Sequence, residues 1–95
     1  MIKHIVMYKL ENPSEENKQA MVNKFLSMKG KIDVLLDIES GIDKLKSPRS
    51  YDVVLICTFK SLDDLNTYKN HEVHIPVMQY VHSVVKESHS VDFEF

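Results

Sequence analysis

Tyr51-Asp52-Val53-Val54-Leu55-Ile56-Cys57-Thr58-Phe59 decides how this chain folds, because its centre is apolar on both faces at once. A strand with one wet face alternates apolar and polar residues, and the unbroken run from Val53 to Cys57 leaves neither side for water. Such a strand belongs in the middle of a sheet. What pairs with it and what covers it must be read from the sequence on either side.

Toward the amino terminus, Leu36, Ile38, Ser40 and Ile42 alternate with Asp37, Glu39 and Gly41, the pattern of a half-exposed peripheral strand. A loop containing Pro48 separates it from the central strand. Further back, Ile2 to Leu10 is β-prone, with Ile2, His4, Val6, Tyr8 and Leu10 on one face and Lys3, Ile5, Met7 and Lys9 on the other. Asn12-Pro13-Ser14 breaks this strand. Ser14 then supplies a cap, and Glu15 and Glu16 place negative charge where a helix dipole favours it. Met21, Val22, Phe25, Leu26 and Met28 continue at helical spacing, so a helix is expected from Ser14 to Lys29, stopped by Gly30.

Toward the carboxyl terminus, Ser61-Leu62-Asp63-Asp64 has the spacing of a capping box, and Leu62, Leu65 and Tyr68 carry a second helix. The direction changes after Asn70 and His71. Pro76 suits the first turn of a further short helix with Val77, Val81 and Val84 on its apolar side and an end near Val85. Val91, Phe93 and Phe95 alternate with Asp92 and Glu94 as a last strand with one wet face.

This order is an α+β fold, the ferredoxin-like βαββαβ unit with a four-stranded antiparallel sheet, filling residues 1–95 as one domain. In that topology the first and third strands lie in the middle, which agrees with their apolar character. The helices cover only one face of the sheet. Ile5 and Met7, with either Val54 and Ile56 or Val53 and Leu55, are left facing water, and an apolar patch of that kind is the mark of an interface. A homodimer through the open sheet face is therefore expected.

Bulk properties agree. A 95-residue chain buries only ~60–70% of the surface its unfolded form exposes. With one cysteine there is no internal disulfide to help, which leaves a partner chain as the source of added stability. Twelve basic against fourteen acidic residues give a net charge of −2 with no dense basic cluster, so nucleic acid is not an expected partner. The first residues lack a signal-peptide pattern, and no run approaches the ~18 apolar residues of a membrane span. A cytoplasmic protein with no membrane partner is expected.

Few residues can carry chemistry. His71-Glu72-Val73-His74 puts two imidazoles three residues apart beside Tyr68, and His4 lies on the same strand face as Val6 and Tyr8. As metal ligands, His4, His71 and His74 lack a supporting carboxylate, and the His-Glu-x-His spacing is one residue short of the zincin pattern. No metal is expected. As a general base, one neutral histidine beside a phenol removes a proton while the hydroxyl stabilises the developing oxyanion, without a cofactor. Cys57 reads as a buried small hydrophobe, and His82 and His89 as surface residues.

The histidine after Lys3, Tyr51-Asp52 opening a strand that ends in Thr58-Phe59, then Leu65, Tyr68, His71, His74 and the terminal Val91-Asp92-Phe93-Glu94 resemble the stress-responsive A/B barrel (Dabb) domain over essentially the whole chain. The resemblance implies a ferredoxin-like protomer and a homodimer whose sheets close into a dimeric α+β barrel. Plant polyketide cyclases of that family use a tyrosine and a histidine of this segment for a cofactor-free aldol condensation. By position, Tyr68 is then the oxyanion-side phenol and His74 the base. His4, Val6, Tyr8, Phe25 and His71 are the candidate substrate-binding residues, His71 with a more architectural part. Glu72 replaces the family's usual proline, and Val53 stands where the cyclase has another pocket histidine. Two functions are therefore carried forward: binding of a small hydrophobic or aromatic molecule between sheet and helices, or a cofactor-independent lyase or cyclase acting on a β-keto or polyketide-like substrate. A monooxygenase activity rests on fold analogy alone.

Overall fold

The strict alternation of β1 (Ile2–Leu10) sets the two sides of the sheet: its even-numbered residues are buried, while Lys3, Ile5 and Lys9 are half-buried and Met7 is exposed. The computed structural model describes residues 1–95, with α1 (Glu15–Leu26), β2 (Asp37–Ile42), β3 (Val53–Phe59), α2 (Leu62–Lys69), α3 (His74–Val84) and β4 (Val85–Glu94) following in order. The sheet order is β2-β3-β1-β4 and every pair is antiparallel, so the two strands apolar on both faces are the central ones.

Register settles which residues of β3 face outward. Ile5 pairs with Ile56 and Met7 with Val54. Antiparallel partners share a face, so Val54 and Ile56 join Ile5 and Met7 on the open side. Val53, Leu55, Cys57 and Phe59 point the other way, beneath the helices, and are 2% exposed or less. On the far side of β1, Val91 pairs with Ile5 and Phe93 with Lys3, which extends the uncovered apolar surface onto β4. Val91 is 55% and Phe93 43% exposed.

The covered face holds one core of 19 buried apolar residues. Met21, Val22 and Phe25 bring α1 down onto β2 and β3, Leu65 and Tyr68 bring down α2, and Val77 and Val81 bring down α3. The helix starts follow the local sequence: Ser14 Oγ accepts the Asn17 N–H, and Ser61 Oγ accepts the Asp64 N–H. The α1 helix ends at Leu26, three residues before Lys29. Its last turn tightens, with Met28 and Lys29 N–H groups donating to the Phe25 and Leu26 carbonyls, before Gly30 takes φ 77°. Asp52 ties the end of β1 to the start of β3, because its carboxylate accepts the Leu10 N–H and its own N–H donates to the Tyr8 carbonyl.

The largest difference from expectation is β4. It begins at Val85 directly after α3, six residues before the Val91 at which alternation becomes visible. Lys86, Glu87, Ser88, His89 and Ser90 are exposed on both faces of this edge strand, so no period-two signal marks them. No helix is long and apolar enough to cross a membrane.

Leu55, 1% exposed at the centre of the core, should lose about 2–5 kcal/mol on truncation to alanine. Urea denaturation of Leu55→Ala against Leu45→Ala, whose parent side chain is 80% exposed, measures this directly. The second substitution is expected within about 0.5 kcal/mol of wild type.

Candidate functional site

β4 sits at the sheet edge, and the side chains it turns toward the helices at Ser88 and Ser90 are short and polar. Ser88 pairs with Tyr8 and Ser90 with Val6 on the helix side of the sheet. Facing them, α3 contributes His74, Ile75, Met78, Gln79, Val81 and His82, residues that recur on one side of a helix. Small residues below and a helix held off above leave a chamber of about 540 Å³. His4, Val6, Tyr8 and Leu55 form its floor, and Tyr68 and Lys69 close the end beside α2.

The turn between α2 and α3 aims His74. His71 Nδ1 accepts the Val73 N–H at 3.0 Å, and the His71 carbonyl accepts the N–H groups of His74 and Ile75. An imidazole thus holds the turn between the two helices. His74 Nδ1 lies 3.0 Å from the Lys69 carbonyl oxygen. A carbonyl only accepts, so Nδ1 carries the proton and Nε2 presents a lone pair. Burial, ahead of all other influences, lowers the His74 pKa below the ordinary imidazole value, which keeps the ring neutral.

Tyr68 packs against His74, ring centroids 4.2 Å apart, and against Phe59 at 5.0 Å. Its hydroxyl accepts a hydrogen bond from the Cys57 thiol at 3.8 Å, which leaves its own O–H to donate. Burial drives the phenol pKa far upward, so it remains protonated, and burial pushes the Cys57 thiol up to about 12. Cys57 is therefore a weak donor and not a nucleophile. His4 lies edge-on to Tyr68 at 6.5 Å, and its Nδ1 meets Asp92 Oδ1 at 2.5 Å. The carboxylate accepts from Nδ1–H, which fixes the tautomer and orients the ring.

Of the residues singled out from sequence, His4, Val6, Tyr8, Tyr68 and His74 meet at the chamber. Phe25 does not. It is wholly buried in the core, its ring 5.3 Å from that of Tyr8, so it supports the floor from beneath. His71 also lies off the lining, in the turn it braces. His82 and His89 are exposed, as expected; His82 also borders the chamber, whereas His89 is the strand partner of Met7 on the open side of the sheet. Asp92 was visible in the sequence only as a wet-face acid; its pairing with His4 follows from the β1–β4 register. His4, His71 and His74 belong to no cluster able to hold a metal ion.

A four-stranded antiparallel sheet with helices on one side and a chamber between them is the ferredoxin-like class of α+β protein. The chain belongs to the stress responsive A/B barrel domain family, whose model matches residues 2–95. A Bacteroides fragilis protein described as dimeric, ferredoxin-like and of unknown function is 28% identical, with TM-score 0.82 over 99% of this chain and 95% of that one. A Mesorhizobium loti Dabb family protein is 16% identical, with TM-score 0.83 over 99% and 95% of the two chains. The hydroxynitrile lyase of Passiflora edulis shares the fold at 10% identity, with TM-score 0.83 over 97% of this chain and 90% of the lyase. No curated protein sequence matches the chain.

The depressed His74 pKa fixes a sign. Between the unfolded value near ~6.5 and the lower folded value, the unfolded chain binds the extra proton, so stability falls as pH falls through that window. Denaturation midpoints at pH 7 and pH 5 should differ less in His74→Gln than in wild type. Equal differences would show that His74 titrates like an exposed imidazole.

Proposed function

We propose that this protein is a homodimer that binds a small hydrophobic or aromatic molecule in the chamber between its sheet and α3. The observation carrying the reading is the composition of that space. Val6, Leu55, Met78 and Val81 give an apolar body, while Tyr68, His74, Ser88 and Ser90 supply polar groups that fix orientation. Pairing rests on the uncovered face, where Met7, Val91 and Phe93 are at least 40% exposed, and on the dimeric state given for the 28% identical Bacteroides protein. We place the protein in the cytoplasm, where the free Cys57 stays reduced.

A second reading, favoured by the His74 tautomer, is a cofactor-independent lyase or cyclase acting on a β-keto or polyketide-like substrate. His74 Nε2 takes a proton from carbon and holds it, while the Tyr68 O–H donates to the enolate oxygen as charge develops there. His4, oriented by Asp92, directs Nε2 as a second polar contact.

Light scattering at micromolar concentration should give about twice the 11.1 kDa chain mass. Ile5→Glu, placing a charge at the centre of the open face, should shift the population to monomer while leaving the circular dichroism unchanged. For the chamber, NMR titration with naphthalene-sized aromatics should perturb Val6, Met78 and Ser90, and Met78→Trp should abolish those shifts. Perturbation confined to the open face would refute the binding reading. For the catalytic reading, His74→Asn should cost about 10²–10⁴ in turnover of a β-keto substrate, whereas equal turnover would leave the histidine architectural.

A further inference from the structure

The open side of the sheet is uneven from edge to edge. Register sets its residues in rows across the strands: Glu39, Ile56, Ile5 and Val91 form one, and Gly41, Val54, Met7 and His89 the next. The middle of each row is apolar. At the β2 edge stand Asp37 and Glu39, both exposed, whose carboxylates take part in no ion pair of the chain. The lysines of this face, Lys3 and Lys9, lie on β1 toward the other edge. They sit over the rings of Phe95 and Tyr51, also outside any ion pair. Glu87, across from Lys9 on β4, is held by the Tyr51 hydroxyl at 2.8 Å and by His89 Nε2 at 3.3 Å. One half of the face therefore carries unpaired acid and the other half unpaired base.

The relief of the face is uneven in the same sense. Gly41 lies inside β2, where a glycine weakens a strand and often marks the close approach of another chain. Its own backbone does not call for glycine. Its φ lies outside the left-handed region, and a Cβ at this position would meet no atom within 4 Å. The missing side chain leaves a hollow of about 220 Å³ bordered by Met7, Tyr51 and Val54. At the opposite edge, β4 raises Val91 and Phe93 into solvent. The β2 edge is thus low and acidic, and the β4 edge is raised and apolar.

Two identical faces meet through a two-fold axis, which lies either across the strands or along them. An axis across the strands lays each strand on its own counterpart. Glu39 then faces the partner's Glu39, and low edge meets low edge. An axis along the strands lays β2 on the partner's β4 and β3 on the partner's β1, so that acid meets base and hollow meets projection. From this complementarity we infer that the protomers pair with β2 of each against β4 of the other, the partner's His89 entering the hollow above Gly41. Ile5 then packs on the partner's Ile56, and the partner's Lys3 comes one strand away from Asp37. The inference rests on the homodimer reading above and adds its orientation. Each hollow is complete only when a second copy fills it.

Glu39 and Val91 share a row but stand at opposite edges, three strand spacings of ~4.8 Å apart within one chain. The test treats Glu39→Cys, Val91→Cys and the double variant with a short bis-maleimide; Cys57, wholly buried, stays out of the reaction. The double variant should give a covalent dimer and each single variant none. A covalent dimer from either single variant, or none from the double variant while light scattering shows a dimer, overturns the orientation and leaves the homodimer standing. Gly41→Leu, whose side chain has open space in the lone chain, should keep the circular dichroism of wild type and raise the dimer dissociation constant about tenfold. An unchanged constant overturns the filled hollow. A wild-type mass of 11.1 kDa at micromolar concentration removes this inference and the homodimer reading together.

Discussion

The pairing of β1 with β3 is the constraint on which everything else rests. Both strands carry apolar side chains on both faces, and their register places Ile5 against Ile56 and Met7 against Val54 on one side and His4 against Cys57 and Val6 against Leu55 on the other. A shift of one residue would exchange the two sides. It would send Tyr8 and His4 outward and draw Lys3 and Lys9 under the helices, where an ammonium group has no partner. The core, the chamber floor and the uncovered face are therefore fixed by one register.

Much of this was legible in the sequence for the same reason. The apolar run Val53 to Cys57 and the alternation from Ile2 to Leu10 are strong local patterns, and Ser14 and Ser61 announce the helix starts they cap. Which half of Val53–Ile56 faces outward was not legible, because neighbouring residues of equal hydropathy carry no phase. The phase comes from pairing, a nonlocal fact. The start of β4 was hidden because an edge strand whose sides are both wet has no alternation to show.

The site divides along the same line. Tyr68 and His74 stand out because polar, titratable side chains interrupt apolar segments close together in sequence, and the fold brings their rings together. Asp92 is 88 residues from His4 along the chain, and only strand register joins them. Phe25 carries no mark in sequence to separate a wall residue from one beneath the wall; its complete burial against the Tyr8 ring decides it. The serines that concealed β4 are also the residues that leave room in the chamber. The feature that hid the strand is thus the one that gives it use.

The α3 helix passes into β4 without a connecting loop, Val84 closing the one and Val85 opening the other. Residues from both elements line the same space, so the two walls meet at a single corner. An added or deleted residue at that corner would reverse the inward and outward sides of every later β4 residue, exchanging Ser88 and Ser90 for their bulkier neighbours. Descendants of this sequence can therefore retune the cavity by point replacement along either wall, but not by changing chain length at the hinge between them.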